Sequence, residues 1–413
     1  MKKKFPHHEI RKCCRRKIAE LAKIDVHLPP RHLFILIILF PLFLMIMDNS
    51  FIGINFKGHL NGFFETPQKE DFSVSAYAKR DYQKKFESWF KFNIGLRGYF
   101  IRLYNQIHFT LFNLSKSRIV GKNGNFFEWD YIDAECGLSS KFDFSIPENL
   151  NRLDNYVDHL ESLQNKLAKV NKHLIFFITP SKAVVDFNDI PLKYRLKKKD
   201  SFLSPYLHLR KKLCKKKINL IDSRNFLSKD GIPDFYKTGI HWARPLEQRT
   251  SKAVVEKMSA LTNQNLPKLN LGHIKKSKVP FLRDADIYNV ANLIFKPQGT
   301  YYEYEVKIDT TKNYQEPNFL IQGGSFADGL FAFDYTLAQR NSYRILYNKA
   351  YSKKNGPYIP IKKWEDINFT EILNNVKVVI IETNEAYIPN FNDGFVEYLD
   401  SFLDSYNNNT QTN

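Results

Sequence analysis

Five short runs of consecutive apolar residues, separated by stretches of helical periodicity, constrain this chain more than any other feature. They are residues 174–179 (LIFFIT), 218–221 (INLI), 318–322 (NFLIQ), 344–347 (RILY) and 376–382 (VKVVIIE). A strand with one wet face alternates apolar and polar residues, whereas an unbroken apolar run belongs to a strand covered on both faces. Between the runs, Leu150, Leu153, Tyr156, Val157, Leu160, Leu163, Leu167 and Val170 recur at helical spacing, and residues 245–261 and 391–403 repeat that pattern. The alternation predicts a three-layer α/β sandwich, with a mostly parallel sheet in which 174–179, 318–322 and 376–382 are central strands. Ser145-x-x-Glu148 has the form of a capping box at the head of the first helix. Asn123–Gly124, between apolar neighbours, predicts a type I′ hairpin. Residues 76–112 read as helix with a break at 93–98. Residues 262–312 read as an irregular insertion over one end of the sheet, and the tail NNNTQTN as disordered.

Residues 33–47 (LFILIILFPLFLMIM) are uncharged and apolar throughout. As a helix they span about 23 Å, short of the roughly 30 Å hydrocarbon core. His32 and the Asp48, Asn49 and Ser50 that follow are placed to sit at headgroup level, with local thinning making up the difference. A cleaved signal peptide has an apolar region of similar length. Here, however, the leader is long and no small-x-small site follows Met47. Residues 1–31 hold ten Lys/Arg against three acids, which predicts a cytoplasmic N-terminus and an uncleaved anchor. The expected organisation is a basic leader (1–31), an anchor (32–50), a juxtamembrane helical segment (51–115), a catalytic domain (116–405) carrying the 262–312 insertion, and a tail (406–413).

The formal net charge of +19 suits an anionic partner such as a lipid surface or an acidic polymer. Nucleic acid is set aside, because the chain has no zinc-finger spacing, aromatic RNA-binding signature or basic recognition helix. Four cysteines, two of them (Cys13, Cys14) in the leader, exclude a disulfide scaffold and form no Cys-x-x-Cys pair. A Cys136–Cys214 bridge and two free thiols are both open. No metal or cofactor is expected.

Two segments carry chemistry. In residues 318–329 (NFLIQGGSFADG) an apolar strand meets Gly323, Gly324 and Ser325 and then a helical stretch. Two glycines permit a sharp strand-to-helix turn, with Ser325 where free backbone N–H groups favour an oxyanion. A plain connection with Ser325 as an ordinary N-cap fits the same residues. In residues 236–242 (YKTGIHW), His241 beside Trp242 suits either a general base or a structural hydrogen bond. A serine hydroxyl becomes a good nucleophile at neutral pH when an imidazole takes its proton, so the pair weighs more than either residue alone.

The order of six segments resembles the SGNH-hydrolase-like AlgJ/AlgX family of alginate O-acetylation proteins. They are GLRGYFIRLYNQ (95–106), VGKNGNFFEWDYI (120–132), FFITPSKA (176–183), YKTGIHW (236–242), NFLIQGGSF (318–326) and VVIIETNE (378–385). The resemblance implies a circularly permuted SGNH/flavodoxin-like domain, with the His motif ahead of the Ser motif. It implies Ser325 as nucleophile, His241 as general base and Asn384 as oxyanion support. Two positions depart from the family pattern. Gly239 stands where Asp-x-His has its Asp, and Gly324 where Gly-Asp-Ser has its Asp. A base without an orienting carboxylate can lose about four orders of magnitude in turnover. Asp222, Asp234 or a backbone carbonyl are the expected substitutes; otherwise the site is weak or dead.

The resemblance further implies a single-pass protein of the bacterial inner membrane with a periplasmic domain. It would move acetyl groups onto an acidic or neutral polysaccharide beside a multispanning O-acyltransferase. A deacetylating carbohydrate esterase and a non-catalytic glycan-binding or assembly protein are the rival readings.

Overall fold

The computed structural model describes residues 29–50, 58–62, 66–116, 118–200, 202–281, 283–295, 298–309, 314–316, 318–330, 342–353 and 356–411, with backbone alone at 48–50, 328–329 and 407–411. Most of the basic leader (1–28) therefore lies outside the described residues, as do 51–57, 63–65 and 310–312 of the segments discussed above. The chain divides into two compact units, one ending at Leu103 and one beginning at Tyr104.

The first unit contains helices α1 (Pro30–Ser50), α2 (Val74–Ala78), α3 (Asp81–Asn93) and the start of α4 (Arg97–Phe112). Helix α1 has 21 residues, because Pro30, Arg31 and His32 at one end and Asp48, Asn49 and Ser50 at the other continue the apolar run. Its length, about 31 Å, meets the span of a bilayer core. Between α3 and α4 the helix breaks at Leu96, which adopts φ 59°.

The second unit is built on a seven-stranded sheet in the order β10-β9-β8-β7-β11-β3-β4. Its strands are β3 (His173–Thr179), β4 (Leu220–Asp222), β7 (Phe319–Gly323), β8 (Ser342–Leu346), β9 (Ala350–Lys353), β10 (Ile359–Pro360) and β11 (Val378–Asn384). The five from β8 to β4 are parallel, and β9 and β10 close one edge antiparallel. Every apolar run thus contributes a strand to one mostly parallel sheet. Successive side chains of β3 serve opposite cores. Ile175 and Phe177 face one with α5 (Trp129–Cys136) and α8 (Arg244–Thr262). Leu174, Phe176 and Ile178 face the other with α6 (Pro147–Lys169), α7 (Pro205–Lys215), α11 (Phe369–Asn375) and α12 (Phe395–Gln411). Double coverage is why these strands show no polar alternation.

Four local expectations change. Helix α6 begins at Pro147, whose fixed φ suits a first turn, and the Ser145 hydroxyl is spent on Asp143 (2.5 Å), so no capping box forms. The hairpin β1 (Ile119–Val120) to β2 (Phe126–Phe127) does place Asn123 and Gly124 left-handed (φ 55° and 71°), within a loop longer than two residues. Insertion 262–312 is no irregular cap. It is a two-stranded ribbon, β5 (Lys268–Ser277) with β6 (Tyr301–Asp309), enclosing α9 (Asp286–Val290). A largely solvated ribbon carries little apolar periodicity, so its pattern was faint. The polar tail continues α12 to Gln411. Cys136 (buried) and Cys214 (exposed) are both free.

Candidate active site

The carboxyl ends of the parallel strands form the cleft, as open α/β sheets dictate. Strand β7 ends at Gly323, and Ser325 opens the short helix α10 (Ser325–Gly329). His241 lies on a loop closed by a lone bridge between Phe235 and Trp242. The structure brings the two together across 84 positions of sequence, with His241 Nε2 2.7 Å from Ser325 Oγ. The imidazole rests on the Phe326 ring, centroid to centroid 5.0 Å.

The other ring nitrogen, Nδ1, meets a carboxylate that sequence reasoning missed. Asp286 Oδ2 is in a very short contact with it, while Asp286 Oδ1 accepts the Ile240 N–H (3.0 Å). Asp286 comes from the insertion, and Gly239 is what lets the insertion in. A Cβ at 239 would lie 2.8 Å from the carbonyl oxygens of both Arg283 and Asp284. Loop and insertion are laced by Thr238 Oγ1 to the Asp284 carbonyl (2.7 Å) and by the Tyr288 N–H to the Thr238 carbonyl (2.9 Å). The family's aspartate and this insertion therefore compete for one space. Neighbouring Asp284 is buried, which pushes its carboxyl up to about 8, so it stays protonated at neutral pH.

The two acids proposed from sequence lie elsewhere. Asp222 accepts from Tyr206 Oη (2.7 Å) and Arg210 Nε (3.0 Å). Asp234 pairs with Arg249 and accepts the Ser228 N–H (2.7 Å), steadying the start of the histidine loop from outside the site. Asn384 ends β11, but its amide donates to Thr179 Oγ1 and the Pro180 carbonyl (both 3.1 Å) and its oxygen caps Ala386 (3.0 Å). Those bonds take up both of its amide hydrogens, although Asn384 also lines the cavity beside Ser325.

Other groups hold Ser325. The Tyr347 hydroxyl accepts the Ser325 N–H (3.2 Å) and points its own proton at Ser325 Oγ (3.4 Å). Tyr347 adopts φ 54°, a costly conformation for an aromatic residue and one typical of functional sites. A Cβ at Gly324 would reach within 3.0 Å of the Tyr347 ring, which accounts for the missing aspartate there. The Gly324 N–H donates to Glu382 Oε2 (2.8 Å), whose other oxygen accepts from Thr179 Oγ1 (2.6 Å). Burial pushes Glu382 up to about 7, against the pull of those two hydrogen bonds. Fully buried Lys182 donates to the carbonyls of Tyr236 and Gly239 (both 2.6 Å) and so fixes the histidine loop, and burial brings its ammonium down to about 7. Arg283 donates to the Ser325 carbonyl. Beside Ser325 lies a cavity of about 40 Å³ lined by Gln322, Phe326, Tyr347, Glu382, Tyr387 and Asn392, room for roughly two or three heavy atoms.

A parallel sheet with a Ser–His–Asp constellation at its carboxyl edge defines the class of SGNH-like hydrolase folds. More narrowly, a family model described as the SGNH hydrolase-like domain of acetyltransferase AlgX matches residues 142–351, just over half of the chain, and the chain belongs to that family. The match includes His241, Asp286, Ser325 and Tyr347. Among solved structures, the chain is similar to the O-acetyltransferase domain of Pseudomonas putida AlgJ, at 16% identity and TM-score 0.43, over 69% of this chain and 99% of that one. It is similar to Pseudomonas aeruginosa AlgX at 15% identity and TM-score 0.40, over 67% and 66%. Bacillus cereus PatB1 follows at 10% and 0.36, over 58% and 90%. A comparison with curated proteins gave no match.

Proposed function

We propose that this chain is a membrane-anchored O-acetyltransferase that acetylates an extracytoplasmic polysaccharide through an acyl-enzyme on Ser325. The observation that carries the reading is the line from Asp286 through His241 to Ser325. In the first step His241 Nε2 takes the Ser325 proton as Oγ attacks the donor's acetyl carbonyl. Asp286 holds Nδ1–H, fixing the tautomer and stabilising the imidazolium. The Tyr347 hydroxyl and the Ser325 N–H, which bond to Ser325 Oγ and to the Tyr347 hydroxyl in the resting site, are the nearest donors for the oxyanion. Collapse expels the rest of the donor, which takes the proton back from His241 Nε2, and leaves acetyl-Ser325 with its methyl in the small cavity. A sugar hydroxyl then attacks the ester, giving its proton to Nε2, and Ser325 leaves with it.

The length and composition of α1 support anchoring; a multispanning O-acyltransferase as acetyl source is part of the proposal. The test compares polysaccharide acetylation in cells carrying wild type or Ser325→Ala. Loss of acetyl ester in the variant supports transfer; a rise would mean the enzyme removes acetyl groups, and no change would mean a scaffold.

A further inference from the structure

The junction of α3 and α4 is tied into the apolar helix α1. The Gly95 N–H donates to the Pro41 carbonyl (3.1 Å), and a Cβ at Gly95 would lie 2.5 Å from that oxygen and 2.6 Å from Leu44 Cβ. Pro41 is buried and Leu44 is 7% exposed, whereas Leu33 to Phe40 are all at least half exposed. Pro41 lies about 9 Å along the helix axis inside Met47, the end of the apolar window. If α1 spans a bilayer, the turn that touches Pro41 lies at the same depth.

Non-helical backbone is tolerated at that depth only when its polar groups are satisfied within the protein. Four N–H groups at this turn meet that condition. The N–H groups of Ile94, Gly95, Arg97 and Phe100 go to the carbonyls of Phe90, Pro41, Ile94 and Leu96, and the Asn93 amide donates to the Trp89 carbonyl. Three charged side chains near the turn have partners. Lys91 pairs with Glu87, Arg97 lies over the Phe92 ring (5.4 Å), and Arg102 reaches the His59 carbonyl (3.0 Å). Helix α4 then shows an uncovered apolar stripe at helical spacing, including Phe100 (52% exposed), Leu103 (47%) and Ile107 (44%).

We infer that the turn joining α3 and α4 is seated in one leaflet of the bilayer, its tip packed on α1 and the apolar stripe of α4 against lipid acyl chains. The inference rests on α1 being the membrane anchor. The chain would then grip the membrane with two elements, the second entering and leaving from one side.

The test uses the full-length protein in phosphatidylcholine–phosphatidylglycerol liposomes doped with a phospholipid carrying a diazirine at one acyl-chain end. After irradiation, mass spectrometry maps the adducts. The expected result is adducts on the exposed residues of α1 and, in comparable yield, on Tyr99, Phe100 and Leu103. Adducts on α1 alone overturn the proposal while leaving the anchor, and place the stripe in water or under a protein partner. Adducts on neither segment overturn the anchor reading and the proposal with it.

Discussion

Asp286 reaches His241 from 45 positions further along the chain, and this contact decides whether the site can work. Asp286→Asn keeps the shape but removes the anion and permits the wrong imidazole tautomer. Turnover should fall by about four orders of magnitude, while Asp222→Asn and Asp234→Asn should lower stability and leave turnover within severalfold. Acetyl-ester hydrolysis kinetics on the purified variants measure this. If Asp286→Asn is as active as wild type, the triad assignment is wrong. Glu382 gives a separate test by pH. Its carboxyl is raised from 4.5 to about 7 by burial, so folding binds a proton, and the native state loses stability as pH rises from about 4.5 to about 7. Glu382→Gln does not titrate, so its stability relative to wild type should improve across that window, by up to about 3 kcal/mol at 1.36 kcal/mol per unit. Denaturant melts at pH 4.5 and 8 check it, and a constant difference between the two proteins contradicts it. Ser325 and His241 were legible in the sequence because each sits in a local motif. Asp286 and Tyr347 were not, since a carboxylate in an insertion and a tyrosine just past a strand acquire meaning only when the chain folds.

Elements were legible to the extent that burial imprinted a period on them. Strands β3, β7 and β11 are covered on both faces and so read directly as apolar runs, and α6 shows its one buried stripe. The ribbon β5–β6 lies mostly in solvent and left no such imprint, although its connection delivers Asp286. Exchange of one element for another also explains the glycine of the histidine loop. Restoring the family's residue with Gly239→Asp should lower activity, because the new side chain meets the Arg283 and Asp284 carbonyls and drives α9 away from His241. The overlap should cost about 1–3 kcal/mol of stability. Thermal melting and ester hydrolysis on the variant decide it, and a more active Gly239→Asp would show that the insertion is no substitute.

The whole molecule joins an apolar helix, a sheet that presents a serine at its carboxyl edge, and an insertion that brings a carboxylate to the histidine. Topology is tested by fusing reporters after Asn413. An enzyme that is active only outside the cytoplasm should work there, and a cytoplasm-only reporter should not. The chemistry is tested most directly by trapping the intermediate. The full-length protein is mixed rapidly with p-nitrophenyl acetate, quenched in acid, and its intact and peptide masses are measured. The account predicts one acetyl group per chain, located on Ser325, absent in Ser325→Ala and formed far more slowly in Asp286→Asn. Acetyl on another residue, or equal labelling of Ser325→Ala, would contradict it.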